Sequence, residues 1–268
     1  MTSRRQFLFA AAPGPLAWPL VASASEAREA ATIRIGTVRG PHAVLLERVQ
    51  ALAAERGLAV QLDVRVQGEG IDADVARGKL DVAAWQDGVR FAAESRRTGA
   101  DLVVAAALFT LPMGLYSRRL ATPHQAGDGD AIAIPADREG TARALVLLQN
   151  FGLIELRDDV GLQATVRDIV RNPRSLRIVT LPASRLYDAL LRVPVVAMDF
   201  ADATRAGLQP ARDSIGIEDA RTPFGGVLCV RRDRAAQPWL ASLVAVLHGD
   251  PMKRFALERF GDSVRRPW

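Results

Sequence analysis

The chain has 268 residues, of which 49% are hydrophobic and 24% are charged, a profile typical of a globular protein with one large domain or two lobes. Its formal charge of +5 comes almost entirely from arginines, and no arginine run is interleaved with aromatic residues, so the composition argues against nucleic-acid binding. The single cysteine, Cys229, can form no internal disulfide, and the 3 histidines lie far apart in the sequence. We therefore expect no metal and no cofactor.

The first residues are typical of an export signal. Arg4 and Arg5 precede an apolar stretch that ends at Ala22-Ser23-Ala24, which fits a cleavage site. Four Pro and Gly residues and the short length argue against a transmembrane helix, and "SRRQFL" resembles a twin-arginine export motif. We predict that residues 1–24 are removed near Ala24 and that the mature protein is periplasmic. Because no cysteine lies near the cleavage point, we expect no lipid anchor.

From residue 32 onwards, strand patterns alternate with helix patterns. The predicted strands are "TIRIGTV", "LAVQLDVRV", "LDVAAW" and "DLVVAAALF", and the predicted helices between them are "AVLLERVQALAAERG", "IDADVARGKL" and "GVRFAAESRRTG". This alternation favours an α/β fold with a mostly parallel sheet. Within the extended stretch "GGVLCVRR", Cys229 is interpreted as a small core residue.

The alternation breaks at "TLPMGLYSRRL" and a second set begins at "AIAIP". The helix that carries Arg143, the strands "LRIVTLP" and "VPVVAMDF" and the helix "ASRLYDALLR" complete this set, and two helices close the chain. We predict two lobes, the first from residues 25–110 plus 224–268 and the second from residues 111–223. Extended passages near 109–117 and 223–231 are the candidate crossings between them.

Polar groups stand at the ends of three predicted strands, in "WQD" at 85–87, "PADREGTAR" at 135–143 and "MDFAD" at 198–202. Ligands of open α/β sheets gather beyond the carboxyl ends of the strands. Arg143 lies in the first turns of a helix, where it can pair with Glu139 four residues earlier or bind a ligand anion together with the helix N-terminus. Asp87 and Asp199 can each be an ordinary helix N-cap, and Trp85 a core residue.

Two histidines have ordinary interpretations. His42 follows a Gly-Pro turn, where it can line a cleft or be an unremarkable first-turn residue. His124 lies in a polar loop and is interpreted as solvated. No nucleophile motif, P-loop or zinc motif is present, so no catalytic residue is assigned.

The order of segments resembles one family, the methionine-binding periplasmic proteins of ABC importers (NlpA/MetQ type). The resemblance runs from about residue 32 to the end and is carried by "LFTLPMGLYSRRL", "AIAIPADREGTARALVLLQNFGLIEL", "GLQATVRDIVRNPRSLRIVTL" and "ADATRAGLQPARDSIGIEDARTPFGGVLCVRR". It implies a type II periplasmic binding protein, whose two lobes close over a solute and deliver it to a permease in the inner membrane.

The family's pocket pattern is only partly present. Arg143 is kept, but Gly140 stands where the family has an Asn. Trp85 and Gln86 fit an aromatic-Gln-His segment that is followed by a Tyr in the family, whereas Asp87 and Arg90 do not.

Three further positions depart from the family. Asp199 and Ala201 replace amides at the end of a later strand, and Gly68 stands where a loose alignment places a Tyr. The predicted ligand-binding residues are Arg143, Trp85, Gln86, Asp87, Arg90, Asp199 and Gly140.

These departures predict a ligand other than plain methionine. A stranded polar group costs roughly 1–3 kcal/mol, so two or three lost amide contacts remove several decades of affinity. We expect a small anionic or zwitterionic metabolite such as a more polar amino acid, bound by a monomer. Two alternatives stay open: a dehydratase-like enzyme on the same scaffold, with Asp87, Asp199 or Glu69 as acid or base, and a receptor that feeds a sensor.

Overall fold

Two five-stranded β-sheets with helices on their faces form the computed structural model, which describes residues 32–268. The predicted export signal lies outside the described residues. The strands are β1 (Ile33–Val38), β2 (Val60–Arg65), β3 (Val82–Asp87), β4 (Leu102–Ala107), β5 (Gly114–Tyr116), β6 (Ala131–Pro135), β7 (Glu155–Leu156), β8 (Ile169–Arg171), β9 (Arg177–Leu181), β10 (Val195–Met198), β11 (Ser214–Ile217) and β12 (Gly226–Arg231). The helices are α1 (Pro41–Ala54), α2 (Ile71–Ala76), α3 (Gly88–Thr98), α4 (Arg138–Asn150), α5 (Ala183–Ala189), α6 (Phe200–Arg205), α7 (Pro210–Asp213), α8 (Pro238–Leu247) and α9 (Asp250–Phe260).

The first sheet has the strand order β2-β1-β3-β12-β4. β1 runs parallel to β2 and β3, and β12 returns antiparallel between β3 and β4. α1, α8 and α9 bury apolar side chains in a cluster on this sheet, and α2 contributes to a second cluster that contains Cys229. Cys229 is fully buried, which confirms its interpretation as a core residue.

The second sheet has the order β11-β5-β10-β6-β9. β6 is parallel to β9 and β10, whereas β5 is antiparallel to β10 and β11. α4 supplies Leu145 and Leu148 to one apolar cluster, and α5 supplies Leu186 to another. The predicted two-lobed α/β fold is confirmed. The pair β7–β8 and the short elements α6, α7 and β11 were not predicted.

Two connections link the sheets, residues 108–113 after β4 and residues 218–225 after β11. They run side by side: Thr110 Oγ1 donates to Ala220 O at 2.9 Å, and Glu218 N donates to Met113 O at 3.0 Å. The predicted lobe boundaries fall in or beside these connections and stay a prediction. The end of the chain also joins here, since Thr110 and Arg265 exchange backbone hydrogen bonds of 2.9 Å.

Within residues 32–268, no helix combines the length and the apolar character that a membrane crossing requires.

Candidate functional site

A cavity of about 170 Å³ lies at the seam between the two sheets, beside both connections. Its lining residues are His42, Trp85, Gln86, Asp87, Arg90, Phe109, Leu111, Arg143, Asp199, Phe200, Ala201, Phe224 and Gly226. Six of the seven predicted ligand-binding residues are among them, and His42 lines the cavity as well. That these residues bind a ligand stays a prediction.

Strand ends and helix starts bring the two cavity carboxylates to this place. Asp87 ends β3 and caps α3, because its Oδ1 accepts from the backbone N–H groups of Val89 and Arg90 at 2.9 Å. Asp199 follows β10 and caps α6, with Oδ1 accepting from Asp202 N at 2.7 Å. The N-cap interpretation is correct for both, yet each carboxylate also faces the cavity.

Arg143 on α4 pairs with Glu218 rather than with Glu139. Its Nε donates to both carboxylate oxygens of Glu218, at 2.9 and 3.0 Å, and its Nη2 donates to the same carboxylate and to Leu111 O. The side chain of Glu218 is only 3% exposed and also accepts from Met113 N at 2.8 Å. Of the two alternatives left open for Arg143, the pair with Glu139 is not formed, since Glu139 lies instead 3.6 Å from Arg90 on the other lobe.

The remaining face of the Arg143 guanidinium is available to the cavity. Nη1 makes no hydrogen bond to any residue in the range 32–268, and the ring of Phe224 lies 5.3 Å from the guanidinium carbon. Burial lowers the pKa of Arg143, but the hydrogen bonds to Glu218 and the charges of Glu218, Asp87 and Asp199 together outweigh burial, and the pKa lies above its usual value. Arg143 is therefore a fixed cation that can donate a further hydrogen bond to an anion.

Trp85 and Gln86 are held by Asp72 of α2. Trp85 Nε1 donates to Asp72 Oδ1 at 2.9 Å, and Gln86 Nε2 donates to Asp72 Oδ2 at 2.7 Å. Gln86 is 4% exposed, and within the described part of the chain its Oε1 has no hydrogen-bond partner. A buried acceptor without a donor on the wall of a cavity marks a place for a ligand donor.

The indole of Trp85 rests directly on Gly68. A Cβ at position 68 would lie 1.9 Å from Trp85 Cε3, so the indole fills the space that a side chain there would need. On the side of the cavity, the Arg90 guanidinium lies 4.8 Å from the indole ring. The Gly68 and Trp85 positions therefore depend on one another sterically.

Gly140 does not line the cavity. A Cβ on it would lie 2.6 Å from Pro135 Cβ and 2.7 Å from Asp137 Oδ2, the carboxylate that caps α4. The glycine is thus required by packing at the start of α4, and an Asn would not fit there without a shift.

Burial shifts three ionisable groups of the cavity. Burial raises the pKa of Asp87 and of Asp199, against the opposing effects of their N-cap hydrogen bonds and of the Arg143 charge. Burial also lowers the pKa of His42 to about 4, so its imidazole is neutral at pH 7. Glu69, the third acid considered from the sequence, is exposed and lies outside this cavity.

No metal-ligating group of three or more His, Cys, Asp or Glu side chains is present among residues 32–268. His124 is exposed, as expected from its polar loop.

The sequence analysis missed Glu218 and Asp72. Glu218 is 75 positions away from Arg143 and follows β11, a strand that was not predicted, and Asp72 lies within α2 rather than at a strand end. The one available signal was "IGIEDARTPFGG", an acid just before the predicted second crossing.

Two α/β lobes joined by paired connections over a solute-sized cavity define a two-lobed solute-binding protein. The family model described as NlpA lipoprotein matches residues 33–268, and the chain belongs to the NlpA lipoprotein family. The sequence-based prediction of a solute-binding component of an ABC importer is confirmed at this level.

Proteins similar to this chain match it over nearly all of the described residues. The D-methionine-binding lipoprotein MetQ of Escherichia coli K12 is 29% identical over 93% of this chain and 93% of its own. A Coxiella burnetii periplasmic substrate-binding protein of an ABC transporter is 34% identical, with a TM-score of 0.73 over 87% of this chain and 99% of its own. A Burkholderia cenocepacia nutrient-binding protein bound to methionine is 30% identical, with a TM-score of 0.73 over 88% of this chain and 100% of its own.

An extracytoplasmic location follows from this membership. The lipoprotein names of the family and of the relatives conflict with the expectation of no lipid anchor. The single cysteine of the sequence, Cys229, is buried in β12.

Proposed function

We propose that the seam cavity binds an amino-acid-like solute and that the protein hands this solute unchanged to an ABC permease. The observation that supports this most directly is Arg143, a buried cation held in place by Glu218 with Nη1 left for a ligand carboxylate. An arginine on a desolvated wall is well suited to a carboxylate, because charge-assisted hydrogen bonds are stronger there. His42, neutral at pH 7, adds no competing charge.

The test is calorimetric titration of residues 25–268 with a panel of amino acids, using wild type and Arg143→Lys. Lysine keeps a positive charge beside Glu218, so the variant retains the buried pair, but it loses the second guanidinium arm. We expect it to weaken ligand binding about tenfold or more while the urea midpoint stays close to that of wild type. Arg56→Gln, on an exposed part of lobe 1, is the control and should bind as wild type does. Equal affinity of Arg143→Lys and wild type would reject this role.

An enzyme on the same scaffold is the second candidate, favoured by the raised pKa of Asp87 and Asp199. Each of these carboxylates already accepts backbone hydrogen bonds as a helix cap, which favours a structural and binding role over proton transfer. Mass spectrometry of each ligand after incubation with the protein separates the two. We expect every ligand to be recovered intact.

We propose that the protein is exported to the periplasm through the twin-arginine-like leader. The support is the pair Arg4 and Arg5 ahead of an apolar stretch that ends at the cleavage-site pattern Ala22-Ser23-Ala24. After fractionation of expressing cells, protein shortened near Ala24 is expected outside the cytoplasm. Recovery of only the uncleaved protein from the cytoplasm would contradict this.

A further inference from the structure

The cavity at the seam has more acceptors than donors. Asp87 and Asp199 each use Oδ1 for helix capping, which leaves Oδ2 of each carboxylate without a hydrogen bond to any residue between 32 and 268. Gln86 adds a third unused acceptor, since its Nε2 donates to Asp72 and this fixes the amide with Oε1 unpartnered. Gln86 and Asp87 belong to the first lobe and Asp199 to the second, so these acceptors favour a ligand that brings donors to both sides of the seam.

The charges of the residues that line the cavity also favour a ligand that brings donors. The cavity has two arginines, and each has an acidic neighbour: Arg143 is hydrogen-bonded to the buried Glu218, and the half-exposed Arg90 lies 3.6 Å from Glu139. Asp87 and Asp199 form no ion pair with any residue of the described chain. The charge left unpaired in the cavity is therefore negative, although the side chains lining it include two cations and two anions.

A neutral amino acid cannot satisfy this arrangement. Its carboxylate faces Arg143 Nη1 and its one ammonium group can neutralise one carboxylate, which leaves the other buried and uncompensated once the ligand excludes water. An amino acid with a second cationic nitrogen compensates both carboxylates. The raised pKa of Asp87 and Asp199 shows that each carboxylate is poorly compensated before a ligand arrives.

We infer that the ligand carries a second positively charged nitrogen, in the manner of a basic amino acid, with Asp87 and Asp199 as the residues that select it. The inference rests on the proposed function, because it assumes that the ligand carboxylate is held at Arg143. From the sequence we expected an anionic or zwitterionic ligand. The inference restricts this class of ligands to zwitterions that carry an additional positive charge.

Matched ligands test this. Norleucine and lysine differ by the terminal ammonium group, as do norvaline and ornithine, and both enantiomers of each are titrated together with arginine, methionine and glutamate. We expect at least one cationic member to bind about tenfold or more tightly than its neutral counterpart. Asp87→Asn and Asp199→Asn retain a capping side chain, so they should fold, and each should reduce this ratio towards one. Asp128→Asn, which removes an exposed carboxylate outside the cavity, should leave the ratio unchanged.

Two outcomes overturn the inference and can be told apart. If methionine or norleucine binds as tightly as lysine and ornithine, and Arg143→Lys weakens that binding, the cationic preference is wrong while the proposed amino-acid site stands. If no member of the panel binds wild type, both the inference and the proposed function fail. Unchanged selectivity in both asparagine variants would show that Asp87 and Asp199 do not select the cationic ligand.

Discussion

The carboxylate of Glu218 joins three parts of the chain at one point. It pairs with Arg143 on α4, accepts from the backbone of Met113 in the first connection, and itself belongs to the second connection. The sequence left two candidate partners open for Arg143, Glu139 and a ligand anion, because helical spacing shows only neighbours within one turn. A partner 75 positions away is brought close by the crossing of two connections, which no local pattern encodes.

Replacing Glu218 by Gln should destabilise the protein strongly. The substitution leaves the buried Arg143 charge uncompensated, and removing one partner of a buried ion pair costs about 3–5 kcal/mol. Urea unfolding measures the change. Glu139→Gln, whose side chain is 68% exposed, is the matched control and should cost less than about 1 kcal/mol. Equal urea midpoints for the two variants would show that the ion pair of Glu218 with Arg143 contributes no more stability than the exposed Glu139 side chain does.

His42 should make stability depend on pH. Its folded pKa of about 4 lies below the usual 6.5 of an unfolded histidine. The unfolded state therefore binds more protons between these values, and the stabilisation present above pH 6.5 is lost as the pH falls towards 4. Asp87 and Asp199 act in the opposite sense, since raised carboxyl pKa values favour the folded state at lower pH.

The difference between wild type and His42→Gln isolates the histidine. The stability advantage of wild type over the variant should shrink as the pH is lowered from 7 to 4. An NMR titration of the His42 ring that gives a midpoint near 6.5 would contradict the buried neutral form.

At the scale of elements, the strand ends were predictable and the contacts between elements were not. β3 and β10 end within two residues of the predicted strands, and Asp87 and Asp199 are the helix caps expected of an Asp at a strand end. Trp85 was interpreted as a core residue or a ligand contact. Its partners Asp72 and Gly68 lie on and before α2, and spacing alone does not show which helix packs beside β3.

The Gly68–Trp85 contact should be strongly non-additive. Gly68→Ala places a methyl group where the indole lies, and overpacking of this kind costs about 1–3 kcal/mol. In a Trp85→Ala background the same substitution should cost much less, because the space has been vacated. Unfolding free energies of the two single variants and the double variant give the coupling.

A glycine in open surroundings provides the control for this cycle. Gly127 has its nearest potential contact at 3.6 Å, so Gly127→Ala should change stability by less than about 0.5 kcal/mol in either background. Additive effects of Gly68→Ala and Trp85→Ala would show that the indole adapts without cost.

At the scale of the whole molecule, the sequence indicated two lobes and their crossings because each lobe has its own run of alternating strands and helices. It did not indicate that residues 264–268 return to the first connection. There Trp268 packs edge-on against Phe109 with ring centroids 5.2 Å apart and stacks on His248 at 4.1 Å. The pairing partners lie far apart along the chain, so only the folded structure shows that a third segment supports the crossing.

Trp268→Ala should lower stability by about 1–2 kcal/mol, since it removes two aromatic contacts. Thermal unfolding measures the loss, and Leu257→Ala, at a position that is 47% exposed on α9, provides a control of small effect. Because Phe109 lines the cavity, the same variant should also reduce the rise in melting temperature that a bound ligand produces. An unaltered melting temperature would mean that the terminal segment does not support the crossing.

The contacts of Arg143 have a consequence for the thermodynamics of capture. A free arginine side chain surrenders up to about 2 kcal/mol of rotamer entropy when it is immobilised. Here Glu218, Leu111 and the ring of Phe224 have already restricted it. This entropy is lost when the chain folds. A solute that binds therefore finds Arg143 already ordered, and only the solute's own freedom is lost on binding.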